Sequence, residues 1–193
     1  MTWAIYRESD QPWRHLPLRS GAGFSHQEPP ASRGREVCER GLTWIKPSFL
    51  WMMYRCGWAA KEGQQTVLAV EISREGFEWA LRRACLSSYV PGVHTDQASW
   101  QRELRRSPTR VQWDPERDLR LRPLPYRSLQ LGLTGEAARR YADEWTLTVR
   151  DVTPLAHEIH ALVRAGDLDT ARSLLPREHP YPAGDELLGA LRP

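Results

Sequence analysis

TWIKPSFLWMMYRCGW, residues 43–58, is the segment on which the reading of this chain turns. It holds three tryptophans, two methionines, a phenylalanine and a tyrosine around Lys46, Pro47 and Arg55. Pro47 suits the first turn of a helix, where its missing N–H costs nothing, so a helix is expected over 47–56, ended near Gly57. Such a segment is either the spine of a small core or the wall of a ligand pocket. Lys46 stands out because only it and Lys61 are lysines among 27 basic residues. Placed just ahead of a helix, Lys46 lies near backbone N–H groups that attract anions. Ser48, Met52 and Arg55 are spaced to share one helix face. Lys46, Ser48, Trp51 and Arg55 are therefore candidates to hold the phosphates and ring of a nucleotide. The plainer reading is an apolar core helix flanked by solvated basic residues.

Working outward, the pattern is orderly downstream of Leu42 and irregular upstream. TVLAVEI, 66–72, reads as a central strand. Ser73 caps a helix expected over 74–86. A short helix is expected over 99–106, and strands over 109–113 and 119–121 around a turn at Asp114-Pro115. SLQLGL, 128–133, alternates as a half-buried strand does. A helix from Thr134 to 144, a strand over 145–149, a helix from Thr153-Pro154 to Arg164 and a last helix after Asp167 complete the pattern. Helices and strands mix without βαβ alternation, which predicts an α+β domain with a mainly antiparallel sheet. Residues 4–6 could start a strand, and residues 10–40, rich in Pro, Gly, Ser and Arg, show no period. The expected division is an irregular segment 1–41, a domain over 42–182 and a peripheral tail 183–193.

Composition narrows the function classes. The chain has 193 residues, a net charge of +3 and nine tryptophans. That charge alone does not mark a nucleic-acid binder. No apolar run is long enough for a membrane span, and the N-terminus lacks the features of a secretory signal. Cys38, Cys56 and Cys85 read as free thiols of a reducing compartment, so a cytoplasmic protein is expected. No zinc spacing is visible, and no metal site is assigned. P-loop, Rossmann, serine-hydrolase and zincin motifs are all missing from the sequence.

Two further segments could carry chemistry. In QWDPERD, 112–118, Glu116 or Asp114 could polarise a hydroxyl and Trp113 could stack on a base or nicotinamide; the acids could equally pair with nearby arginines. In PLPYRSLQLGL, 123–133, Ser128 and Gln130 share a strand face, beside Tyr126 and Arg127, and could line a nucleotide pocket or face water. His157 and His160 fit a surface helix better than a metal site. The pairs Arg82-Arg83, Arg105-Arg106 and Arg139-Arg140 read as solvated faces, and form a nucleic-acid track only if they converge.

The blocks TWIKPSFLWMMYRCGW, VLAVEISREGFEWAL, SPTRVQWDPERDLRLRPLPYRSLQLGL and EAARRYADEW, in that order, resemble the domain of unknown function 4291 family across roughly residues 42–182. The layout is similar, more loosely, to the ADP-ribosyltransferase-like fold. That resemblance implies a dinucleotide cleft lined by Lys46, Ser48, Trp51 and Arg55, with NAD as a substrate and Glu116 or Gln130 near the catalytic carboxylate position. The expectation is a nucleotide- or dinucleotide-binding protein acting as an ADP-ribosyltransferase-like transferase, with Glu116 and Gln130 catalytic and with Lys46, Ser48, Trp51, Arg55, Trp113 and Arg127 binding the ligand. Two alternatives stay open: a non-catalytic module for single-stranded nucleic acid, its tryptophans stacking on bases, and an interaction protein with no small ligand.

Overall fold

The computed structural model describes residues 42–182 and the backbone of three short strands nearer the N-terminus, Thr2–Trp3 (β1), Trp13–His15 (β2) and Leu18–Arg19 (β3). The strand start at 4–6, most of the irregular segment 10–40, Cys38 and the tail 183–193 lie outside the described residues. Within that irregular segment, β2 and β3 pair antiparallel with Thr66–Ile72 (β5).

The fold is α+β with mainly antiparallel pairing, as the pattern predicts. One sheet has the order β1, Thr43–Lys46 (β4), Pro123–Leu133 (β8), Thr109–Arg117 (β7), Ala84–Leu86 (β6). The β4–β8 and β7–β8 pairs are antiparallel, and β1–β4 and β6–β7 are parallel. In the second sheet β5 lies between β2 with β3 on one side and Thr146–Asp151 (β9) on the other. The helices are Phe49–Cys56 (α1), Arg74–Leu81 (α2), Gln97–Arg106 (α3), Gly135–Arg140 (α4), Thr153–Ala165 (α5) and Leu168–Leu174 (α6), with a π-helical turn at Tyr141–Trp145 after α4.

Two cores share β5. Val67 and Ala69 face a cluster built from Phe49, Met52, Met53 and Cys56 of α1 with Ala156, Ile159 and Ala171 of α5 and α6. Val70 and Ile72 join a second cluster, in which Phe77, Ala80 and Leu81 of α2 and Ala137 and Ala138 of α4 cover Ile45, Val111, Leu131 and Leu133 of the first sheet. Cys56 and Cys85 are free buried thiols. Among the described residues no helix is long and apolar enough to cross a membrane.

Of the boundaries that differ from the sequence reading, four have a clear local cause. α1 starts at Phe49, because Ser48 takes the N-cap and its hydroxyl accepts the Trp51 N–H at 3.3 Å, leaving Pro47 ahead of the helix. α2 stops at Leu81, and the expected last turn becomes β6, because β7 offers an open edge to which Ala84–Leu86 pairs. Asp114-Pro115 lies within β7 rather than in a turn. β6 ends opposite Val111, so Pro115 occupies a stretch where β7 has β8 alone as neighbour, and its missing N–H is tolerated. The reversal falls instead at residues 118–122, where the Asp118 carboxylate accepts the Arg120 and Arg122 amides, each at 2.9 Å. Leu119 and Leu121, expected in a strand, thus sit in this turn, with Leu121 at φ 61°.

Candidate functional site

Strand register decides which side chains meet. Ile45 and Val111 both pair with Leu131, and all three point into the core beneath α2 and α4. Side chains alternate across a sheet, so Lys46 on β4, Ser128 and Gln130 on β8, and Gln112 and Asp114 on β7 share the opposite face. Gln112 lies directly across from Gln130, and Asp114 from Ser128. A register shift between Pro115 and Arg117 leaves Glu116 without a partner in the ladder. Alternation keeps it on the face of Gln112 and Asp114, toward α1, where it accepts the Ser48 hydroxyl and, at 2.9 Å, the Arg117 amide.

The result is a buried charged cluster. Lys46 and Ser48 have no solvent exposure, and Asp114, Glu116 and Gln130 are at most 7% exposed. The Lys46 ammonium donates to the Ser128 carbonyl at 2.8 Å and to Asp114 at 3.4 Å, and lies 5.0 Å from the Trp51 ring centroid. Gln112 donates to the other Asp114 oxygen at 2.8 Å. The Glu178 carboxylate, from the segment after α6, accepts the Phe49 N–H at 2.6 Å and so fills the first turn of α1.

Burial lowers the Lys46 pKa to about 8, against the opposing pull of Asp114 and Glu116. Loss of solvent around its carboxyl, with Glu116 nearby, raises Glu178 to about 8, although the residue as a whole keeps access to solvent. Tyr126, exposed at the rim, has its phenol pKa raised by partial burial and by the charges of Glu116 and Glu178. Two acceptors in this cluster, Ser128 Oγ and Gln130 Oε1, are buried with no hydrogen-bond partner among the described residues.

Of the residues expected at a site, Lys46, Ser48, Trp51, Glu116 and Gln130 come together here. Arg55 does not join them: it is exposed in the last turn of α1, about 10 Å along the helix axis from Ser48. Trp113 alternates to the other face and packs against the α2–α4 core. Arg127 is exposed and donates to the Trp113 carbonyl at 2.9 Å. His160 stacks on Trp58 with ring planes 2° apart, a packing role. Among the described residues no group of three His, Cys, Asp or Glu side chains is placed to hold a metal. Glu178 escaped the sequence reading. It follows Pro176 in a segment with no period and no motif, and only the tertiary fold carries it to α1.

No curated protein and no solved structure is matched by the chain. One family does match, described as a domain of unknown function (DUF4291), over residues 34–181. That span contains the whole cluster from Lys46 to Glu178. The chain belongs to the domain of unknown function 4291 family.

Proposed function

We propose that this cluster is the reaction centre of a nucleotide-binding transferase of the ADP-ribosyltransferase-like kind, with NAD as donor. The observation that carries the reading is the gathering of Lys46, Asp114, Glu116 and Gln130 on one buried sheet face where Ser128 Oγ and Gln130 Oε1 lack partners. Buried polar atoms are almost always paired. Two open ones beside a lysine of lowered pKa favour a site completed by a ligand.

The charge balance indicates which part of a dinucleotide belongs here. Asp114 and Glu116, joined by Glu178 once it ionises near pH 8, outnumber the one ammonium, which is already paired, so the cluster favours developing positive charge over phosphate. The anomeric carbon of the nicotinamide riboside acquires such charge as its glycosidic bond opens. In the proposed step the C1′–N bond breaks and its electron pair passes to the nicotinamide ring, which leaves neutral. The acceptor oxygen bonds to C1′, and its proton passes to the Glu116 carboxylate. Gln130 and Ser128 hold the ribose hydroxyls through their open acceptors. Phosphates fall to exposed guanidiniums outside the cluster, with Arg127 one residue from Ser128 on β8.

Calorimetry with NAD and with ADP-ribose tests the binding, and nicotinamide release from NAD tests the chemistry. Glu116→Gln is expected to keep NAD affinity within a few-fold and to slow nicotinamide release by about 100-fold or more. Absence of binding heat for both ligands at millimolar concentration overturns the reading.

A further inference from the structure

Three chain entries meet at one end of the first sheet. Ala84 pairs with Thr109, and Thr109 with Leu133, so residues 82–84, 107–109 and 133–135 are neighbours. The Ser107 hydroxyl bonds the Arg83 carbonyl at 2.5 Å, and the Thr134 N–H donates to the Pro108 carbonyl at 2.9 Å. This junction brings together Arg82-Arg83 after α2, Arg105-Arg106 at the end of α3 and Arg139-Arg140 at the end of α4. The Trp79 ring ties two of the pairs together: the Arg83 guanidinium lies 4.2 Å and that of Arg140 4.8 Å from its centroid.

Acids neutralise part of the cluster. Arg82 pairs with Glu78 at 2.9 Å, and Arg140 with Glu144 at 2.8 Å. Arg83, Arg105, Arg106 and Arg139 are exposed and have no acid partner among the described residues. Beside them opens a cleft of about 310 Å³ against Trp79, Trp145 and Arg140, with Glu75 and Glu144 also in its wall. From Thr109 to Glu116 along β7 is about 20 Å, so this surface is separate from the Lys46 cluster.

We propose that this end of the sheet docks single-stranded nucleic acid. Four unpaired guanidiniums suit phosphates. Arg83, stacked on Trp79, presents its outer face to a base. The cleft has acceptors in Glu75 and Glu144, which suit the amino groups of a base and repel phosphate. A base must leave its stack to enter the cleft, which selects a single strand over a duplex.

The test is fluorescence anisotropy of a labelled oligonucleotide of roughly 12 nucleotides across a salt series, with the full chain. Four phosphate contacts predict a log–log salt slope of about −3, equivalent to roughly 50-fold weaker binding between about 50 and 200 mM salt. The variant with Arg83, Arg105, Arg106 and Arg139 all changed to Gln is expected to flatten that slope and to bind at least tenfold more weakly at low salt. Its melting temperature and its NAD binding are expected to stay unchanged, which separates this surface from the proposed reaction centre. Failure to bind at low salt, an unaltered slope in the variant, equal affinity for the matching duplex, or capture by anionic vesicles without oligonucleotide binding each overturns the proposal.

Discussion

At the scale of single residues, Lys46 concentrates the energetics of the site. Its burial removes a strongly hydrated ammonium from water, and among the described residues Asp114 and the Ser128 carbonyl accept its hydrogen bonds while the Trp51 ring lies 5.0 Å away. Burying such a pair is rarely a net gain, but removing one partner leaves the other charge stranded. Lys46→Met, which keeps the volume and loses the charge, is therefore expected to cost about 3–5 kcal/mol in urea unfolding. Adding Asp114→Asn should recover part of that loss, since no uncompensated charge then remains. A double variant no more stable than Lys46→Met alone would show that Asp114 is satisfied by Gln112 and not by Lys46. A polar arrangement that an apolar sheet face could replace at little cost in stability calls for a reason other than stability, and in the proposed centre that reason is the binding of ligand by the open acceptors of Ser128 and Gln130.

At the scale of elements, α2 shows how packing overrides propensity. Alanine favours a helix interior over glycine by about 1 kcal/mol. At Gly76, however, an added Cβ would lie 2.3 Å from Trp145 Cγ, in a ring that is only 4% exposed and cannot retreat. Gly76→Ala is expected to destabilise the protein by about 1–3 kcal/mol, the cost of an overpacked core, read as a lowered urea midpoint. A raised midpoint would mean that α2 can shift away from the π-helical turn. The same contest explains what the sequence discloses. Thr66–Ile72 and Phe49–Cys56 are legible because their apolar patterns and caps are local properties. Ala84–Leu86 is not, because its strand state depends on an edge supplied by residues 109–111. Pro115 reads as a turn signal for the same reason: only the absence of a second neighbour makes it acceptable in a strand. Of the site, Ser128 and Gln130 on one strand face and Lys46 before the α1 cap are legible by alternation and position. Glu178 is placed by tertiary structure alone.

At the scale of the whole molecule, the cluster ties the sheet to both ends of the described stretch 42–182, through β4 near its start and the segment after α6 near its close. Its two shifted groups give opposite pH dependences. Glu178 has a pKa of about 8 in the fold against an ordinary 4.5. Between those values the folded chain keeps a proton that the unfolded chain has lost, so stability falls as pH rises toward 8. Because Glu178 retains contact with solvent, its contribution is expected to be modest. Lys46 is lowered from 10.5 to about 8. From pH 8 upward the unfolded chain holds a proton that the folded chain has released, so stability rises, by up to about 3 kcal/mol near pH 10.5. Urea unfolding measured from pH 5 to 10 should therefore show a minimum near pH 8. Glu178→Gln should remove the falling limb and Lys46→Met the rising one. A profile that declines steadily through pH 8 in the parent chain would mean that the Lys46 amine remains charged to high pH. The cluster would then be a closed ion pair and not a site with a neutral amine within reach near pH 8.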